Sequence, residues 1–430
     1  MGGVESTAVE DVADVAIVGN GPSALALAAA LSGLVPEVKA SSARDPTVSE
    51  LVRRLQGKAL DEIKLPEDAK LPGRRCLNPM AAVIDALRYP DGDGHGDSML
   101  RYGQLKPLMP HVIIGAGPPG GSWQSMSPST VTLSPGSWMD LPGHSLADHL
   151  RGELASDEAH ELHRYYGSSE ALAAARVPRW LVAEYYSTYA RRLTSTEFVQ
   201  GTVQSMERDE DGFWRLQISM PGEDADSECK TIKAKAVALA TGTADVPRRL
   251  NITGEDLDFV THRPPIHNQA LMARIGHLLV VGAGLSAADA ILHALGLRAD
   301  GINVRVTHVF RGKAEDTKIG KMFGDSHGAS MYRDEEWLAQ LMRQKASDPR
   351  YTAKAESDLQ EILEDGSCVI KRKEGEETIS EVSVVALLLG AGPSLHFLPP
   401  SLRRAQRLQP YVPLTRTVPG EMGKGWKEGL

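Results

Sequence analysis

Two stretches restrict the folds open to this chain more than anything else in it: VADVAIVGNGPSALALAAALSG at residues 12–33 and HLLVVGAGLSAADAILHALGL at residues 277–297. In the first, residues 14–18 form a short apolar, β-branched run, Gly19 to Ala24 form a turn, and an Ala/Leu-rich helical segment follows and stops at Gly33. In the second, residues 278–281 are the strand, Gly282 to Ala287 the turn and residues 288–295 a helix ended by Gly296. Strand, glycine turn and helix in that order make the opening of a βαβ dinucleotide-binding unit. Gly19 and Gly282 let the backbone turn sharply, and Gly21 and Gly284 let it approach a pyrophosphate with no Cβ in the way. The small Ala24 and Ala287 let helix and strand pack closely, while Pro22, Ser23 and Ser286 stand at the helix starts, whose free N–H groups and positive dipole end favour a diphosphate.

The second unit also reveals a nucleotide preference. The run INVRVTHVF at residues 302–310 reads as the next strand, and its end is where an adenosine ribose would lie. An Asp or Glu there would bind the 2′-hydroxyl of NAD. Arg311, with Lys313 close behind, offers positive charge to a 2′-phosphate instead, so the expectation is NADPH. A third stretch, HVIIGAGPPGGSW at residues 111–123, matches the same glycine pattern. It fails on context, because Pro128, Pro135 and Pro142 and a scatter of Ser and Thr follow it and no helical period appears. It reads as an inner strand running into a loop.

With these residues in hand, the chain resembles NADPH-using flavin monooxygenases of the two-dinucleotide-fold type. Gly120, Gly121 and Trp123 match the GG-x-W turn that follows the second strand of their FAD fold. Thr241 and Gly242, in VALATG at residues 237–242, match the A-T-G segment where their two domains join. A narrower likeness is carried by GGSWQSM, TLSPGSWMDLPG, VALATGTADVPRRL, LLVVGAGLSAADAIL, THVFR and LLLGAGPSLHFLP, which span about residues 14 to 399. As a set they resemble the oxidative stress-induced growth inhibitor family. That resemblance implies FAD on the first turn and NADPH on the second. It also implies hydride transfer from NADPH to FAD, with one oxygen atom of O2 passed to a soft nucleophile or carbonyl, and a tie to growth control and late cell division. Since such chemistry belongs to the cofactors, no side chain is named as catalytic.

The fold class expected is therefore α/β, with two Rossmann-like dinucleotide-binding domains and the NADPH domain inserted in the FAD domain. The FAD domain is expected at residues 1–245 with an insertion at about 34–110, the NADPH domain at 246–376, and a return to the FAD domain at 377–430. Short strands at 213–218 and 231–239 suggest a small antiparallel element joining the domains. PRWLVAEYYSTYARRL at residues 178–193 reads as an amphipathic helix lying on the FAD sheet. Two features depart from the resembling class. Gly115 stands after Ile114, where the class has an acidic ribose ligand, and the chain stops at Gly429-Leu430, about where the class adds a closing strand and helix. Two alternatives stay open: a catalytically weak or inactive nucleotide-binding regulator, and an NADPH oxidase or reductase without an oxygenated product.

Composition excludes several other classes. With 47 Lys and Arg against 56 Asp and Glu, the formal net charge is -9, which gives no overall basic field for nucleic acid. Three distant cysteines, Cys76, Cys229 and Cys368, suggest neither a disulfide framework nor a metal site, and fit a reducing, cytoplasmic compartment. No apolar run is long enough for a transmembrane segment. The acidic N-terminus is no secretory signal, and Met1-Gly2 with Ser6 is read as a chance match to a myristoylation pattern. The run DGDGHGD at residues 91–97 lacks the acidic twelfth position of a calcium loop, no metal spacing is seen among the histidines, and there is neither a G-x-S-x-G elbow nor a C-x-x-C dithiol. Trp123 and Trp138 flank a Ser/Pro-rich loop and either line a cavity or sit in the core.

Overall fold

The structure is a computed structural model that describes residues 12–39, 43–59, 79–88, 90, 98–126, 130–152, 157–222, 230–297, 301–323 and 332–406. The first half of the chain runs β1 (Val12–Val18), α1 (Pro22–Leu31), β2 (Leu34–Val38), α2 (Pro46–Leu55), α3 (Pro79–Arg88), β3 (Leu100–Gln104) and β4 (His111–Gly115). It continues through α4 (Leu146–Gly152), α5 (Asp157–Tyr166), α6 (Ser169–Ala174), α7 (Arg179–Arg192), β5 (Glu197–Gln200), β6 (Thr202–Arg208), β7 (Trp214–Ser219) and β8 (Lys230–Leu239). Six of these strands form one sheet in the order β5-β4-β1-β8-β7-β6, with β1 parallel to both β4 and β8. Ala16 to Val18 of β1 and Val112 to Ile114 of β4 are apolar and buried because both faces of the sheet are covered there. Ile17 and Ile113 face α1 and α7 together with Ala24, Leu25 and Leu181; Ala16, Val18, Val112 and Ile114 face the other way, onto Leu216, Ile218 and Phe397. Each fully buried Ile or Leu in these layers contributes roughly 1.5–3 kcal/mol.

The link between α1 and β4 is a unit of its own. β2 and β3 pair antiparallel, and with α2 and α3 they enclose Val38, Val52, Leu55, Val83, Leu87 and Leu100. α2 begins where Asp45 accepts the amides of Thr47 (2.7 Å) and Val48 (3.2 Å), with Pro46 at the first helical position. Arg88, at the end of α3, docks this unit on the larger half through an ion pair to Asp140 at 2.8 Å. The run at residues 91–97 and the N-terminal Met1, Gly2 and Ser6 lie outside the described residues.

The second half runs β9 (Val246–Pro247), β10 (Val260–Thr261), α8 (Gln269–Met272), β11 (His277–Val281), α9 (Leu285–Ala294), β12 (Arg305–Val309), α10 (Lys318–Phe323), α11 (Arg333–Met342) and β13 (Tyr351–Lys354). Then follow β14 (Asp358–Ile362), β15 (Cys368–Arg372), β16 (Gly375–Ile379), β17 (Val384–Leu387), β18 (Ala391–Gly392) and α12 (Pro400–Gln406). A parallel five-stranded sheet has the order β10-β17-β11-β12-β13. Helices α9 and α11 cover one face, and the β14-β15-β16 meander packs Ile362, Cys368 and Ile370 on the other. The chain passes between the halves twice, and the two passages lie side by side: β9 pairs antiparallel with β18.

Three sequence expectations need correction. The return to the first half does not begin near residue 377, because β17 is a central strand of the second sheet, and its four buried apolar residues suit a strand covered on both faces. The crossing is at β18 instead. The strands at 213–218 and 231–239 are not a separate joining element: β8 pairs antiparallel with β7 and parallel with β1, so the meander is the edge of the first sheet. Finally, α7 is not amphipathic. Leu181, Val182, Ala183, Tyr185, Tyr186, Tyr189 and Ala190 are all buried, because the helix lies between α1 and the loop of residues 139–144. The tyrosine hydroxyls satisfy that loop: Tyr185 donates to the His144 carbonyl at 2.6 Å, Tyr186 to Met139 at 3.0 Å and Tyr189 to Pro142 at 2.6 Å. Among the described residues no helix is long and apolar enough to cross a membrane.

Candidate functional site between two glycine turns

Each glycine turn stands at the carboxyl end of a central parallel strand, where a βαβ unit leaves its crevice. At the first, Gly19 has φ +106°, and a Cβ there would meet the Ala240 carbonyl oxygen at 2.2 Å. At the second, Gly282 has φ +116°, and its Cβ would meet the Leu388 oxygen at 2.4 Å. Both positions therefore require glycine for the fold alone. Gly21 and Gly284 differ: neither has a positive φ, a Cβ on Gly284 would meet nothing within 4 Å, and one on Gly21 only the Gly121 Cα at 3.9 Å. The space in front of them is open to a ligand.

The helices that follow suit an anion. α1 begins at Gly21 and α9 at Gly284, neither has a side-chain cap, and neither carries an acid in its first turn. Their first amides thus keep their capacity and the dipole ends are unneutralised. Pro22 and Ser23 lie in the first turn of α1 and Leu285 and Ser286 in that of α9, with Ser23 and Ser286 exposed, while Ala24 and Ala287 are fully buried against their sheets. These residues fit the diphosphate of a dinucleotide.

After β4 comes no α-helix but a single 3-10 turn, Gly121–Gln124, entered through Gly120 at φ +119°. This GG-x-W turn lies directly on the first glycine turn. The Gly120 amide donates to the Asn20 carbonyl at 2.9 Å, and a Cβ on Gly121 would sit 2.9 Å from the Gly21 Cα. Gln124 anchors the turn to α7 by donating to Ala183 O (3.0 Å) and Ser187 Oγ (2.9 Å). Trp123 meets Tyr186 edge-on at 6.5 Å between centroids, whereas Trp138 is 47% exposed and belongs to neither cavity nor core.

Between the halves lies a cavity of about 610 Å3. Ser122, Trp123, Met126 and Thr132 line it from the first half, and Leu285, Ser286 and Asp289 line it from the second. The linker after β8 contributes Thr243, Ala244 and Pro247, and His262 joins them from the turn after β10. Thr241 and Gly242 follow β8 and lead into this wall, Gly242 with φ +76° and open space around it. One wall is closed by an ion pair across the two halves: Arg176 reaches Glu335 at 2.9 and 3.2 Å, with Arg176 also donating to Thr132 O at 2.6 Å. The side chains of Arg176 and Glu335 are only 13% and 4% exposed.

Two expected ribose positions look different in space. Gly115 ends β4, and the room above it is filled by Asn20, whose Cγ would be 2.3 Å from a Cβ on Gly115. Asn20 is buried and donates to Gly117 O at 2.6 Å. Arg311 and Lys313, beyond β12, stay exposed and outside the cavity, and Arg311 pairs with Asp358. Just inside that strand end, His308 is fully buried with one ring nitrogen 2.8 Å from the Tyr351 hydroxyl and the other 2.7 Å from the Gly282 carbonyl. Burial pushes its pKa down to about 4, so the ring is neutral and braces the second glycine turn. Sequence reasoning missed Asn20, Arg176, Glu335, Glu255, His262 and His308. His308 sits in a strand that also carries Arg305 and Thr307, so its polarity gives no distinct local signal.

Known proteins place this architecture. Residues 168–414 match the family described as pyridine nucleotide-disulphide oxidoreductase. Oxidative stress-induced growth inhibitor 1 of Mus musculus is 31% identical over 412 residues, covering 90% of this chain and 81% of the relative. Oxidative stress-induced growth inhibitor 2 of Homo sapiens is 30% identical over 417 residues, covering 89% and 80%. Among solved structures, a bacillithiol disulfide reductase from Bacillus cereus superposes with TM-score 0.51 at 15% identity, covering 90% of this chain and 80% of that one. An ornithine N-hydroxylase from Kutzneria sp. 744, in complex with FADred, NADP+ and L-orn, gives TM-score 0.51 at 14% identity, with 91% and 85% covered. These two carry the fold alone. The chain belongs to the oxidative stress-induced growth inhibitor family, on the fold of the flavoprotein oxidoreductases.

Proposed function

We propose that the chain holds FAD on its first glycine turn and NADPH on its second, and works as an NADPH-dependent, monooxygenase-like flavin oxidoreductase in growth regulation. The observation that carries this reading is the 610 Å3 cavity with the GG-x-W turn on one side and the uncapped start of α9 on the other. It has the size of a small-molecule site and few charged groups in its lining. When bound, the flavin supplies electron relay and O2 activation. The chain's own work is positioning. Gly282, Gly284 and the α9 amides cradle one diphosphate, and Gly19, Gly21 and the α1 amides the other; Gly120, Gly121, Thr241 and Gly242 close over the first. Arg311 and Lys313 meet a 2′-phosphate once Arg311 leaves Asp358, an exposed pair that is cheap to break. Trp123 and the Arg176–Glu335 pair keep water out of one wall. A dithiol mechanism is disfavoured: the sequence has no C-x-x-C, and the buried Cys368 thiol is pushed up to about 12 by burial and the nearby Asp365 charge. The growth role comes from the names of the relatives.

The test is O2 uptake by the FAD-supplemented protein on addition of NADPH. The reading expects uptake well above that of free FAD at the same concentration; an equal rate contradicts it. A second reading, a nucleotide-binding regulator without catalysis, is favoured by Asn20 filling the position over Gly115 where an acidic ribose ligand would stand. It expects NADPH binding with no O2 uptake.

A further inference from the structure

His262 lines the cavity from just after β10, the edge strand of the second sheet, and a buried carboxylate stands behind it. Its Nε2 is 2.8 Å from Glu255 Oε1. Glu255 is 3% exposed and also accepts the backbone amides of Leu250 at 2.9 Å and Asn251 at 2.5 Å, with Arg249 Nε 3.7 Å away. Burial raises the Glu255 pKa, but the bonds from His262 and the backbone amides outweigh it, and the carboxyl is held below its usual range. An ionised carboxylate only accepts, so the His262 nitrogen facing it must carry a proton. The neutral ring is then the Nε2–H tautomer. Its Nδ1 has no hydrogen-bond partner among the described residues and is left as an acceptor, on a residue that lines the cavity.

We infer that His262 is an acid–base residue of this cavity and that Glu255 is its positioning residue. The inference rests on the proposed function for its reaction. There, NADPH, O2 and one proton give NADP+ and either H2O2 or, with an organic acceptor taking one oxygen atom, water. Either balance consumes one proton per NADPH. The imidazolium gives up the Nδ1 proton to the cavity, leaves as the Nε2–H tautomer that Glu255 favours, and regains a proton from solvent. The other charged side chains lining the cavity are Arg176, Arg263, Asp289 and Glu335. Arg249, behind Glu255, pairs with Asp256.

The test combines a spectroscopic and a kinetic readout. In protein carrying 15N-labelled histidine, with no cofactor added, the neutral ring of His262 should appear as the Nε2–H tautomer, assigned by its loss in His262→Gln. Its Nδ1 resonance should move when NADP+ is added, and Glu255→Gln should abolish the tautomer preference. An Nδ1–H tautomer, or an Nδ1 resonance indifferent to saturating NADP+, overturns the inference whether or not the protein oxidises NADPH. In kinetics, His262→Gln keeps a side-chain donor for Glu255 and so keeps the segment around β10 in shape. It should lower kcat for NADPH oxidation about 100-fold at unchanged KM for NADPH. An unchanged kcat in that variant means that His262 is a structural clip and overturns the catalytic role. Wild-type protein that does not oxidise NADPH while its Nδ1 responds to NADP+ overturns the reaction reading and leaves a ligand-addressed histidine.

Discussion

The two halves open with the same grammar and use it differently. In both, a central strand ends in a glycine whose Cβ would strike a backbone oxygen of the strand beside it, and in both an alanine-rich helix starts uncapped. The second half goes on directly to its partner strand β12. The first inserts a separate packed unit before β4 takes the corresponding place, Ile113 beside Ile17 as His308 is beside Val280. At that place the first half has an apolar residue and a glycine roofed by Asn20, while the second has a buried neutral histidine and an exposed arginine. On the proposed function, the two turns offer like seats for a diphosphate, and the halves differ at the neighbouring strand end, where the rest of each nucleotide would lie.

The largest expected effect tests the shared part. Gly19→Ala and Gly282→Ala should each lower the unfolding free energy by about 2–4 kcal/mol in urea melts, since strain at positive φ adds to a backbone clash. Gly21→Ala and Gly284→Ala should stay within about 0.5 kcal/mol of the parent yet weaken nucleotide binding, each for its own turn. Equal destabilisation in all four would break the distinction between fold glycines and ligand glycines.

Acid should separate the halves next. Because His308 has its folded pKa depressed from 6.5 to about 4, its neutral form stabilises the fold above about pH 6.5. That contribution, about 3 kcal/mol, is lost as the pH falls toward 4. Calorimetry or urea melts between pH 7 and 4 should show this loss, and His308→Gln should flatten the decline. A decline unaltered by that substitution would place the acid sensitivity elsewhere.

A smaller effect concerns the Asn20 roof. Gly115→Ala should cost about 2 kcal/mol through its clash with Asn20, and adding Asn20→Gly should recover most of it. Additive costs in the double variant would deny that the two residues share one space. The smallest effect on stability, and the most specific on ligand choice, belongs to Arg311→Ala. It should leave the melting midpoint unmoved and cut the preference for NADPH over NADH about tenfold, read from the two dissociation constants. An unchanged preference would remove Arg311 from the nucleotide site.

What could be read from the sequence follows from how local each signal is. The two turns, the inner strand ending at Gly115, the missing α-helix after Gly120 and the helical span of α7 are set by residues within a dozen positions of one another. What escaped depends on partners far along the chain. The seat of β17 between β10 and β11, the fusion of β8 with β1, and the burial of α7 on several sides depend on which distant strand or loop arrives. The same holds for the site. Glycines at fixed spacing announced themselves, but Arg176 with Glu335, 159 positions apart, could not. The role of Asn20 likewise depends on Gly115, far along the chain, standing beneath it.

Whether two nucleotides meet in one cavity can be read from the visible absorbance of the purified, FAD-supplemented chain under anaerobic conditions. Protein-retained oxidised-flavin bands should bleach on adding NADPH and do so far more slowly with NADH. Protein that binds NADPH yet retains no flavin, or flavin bands that NADPH leaves unchanged, would contradict such a meeting.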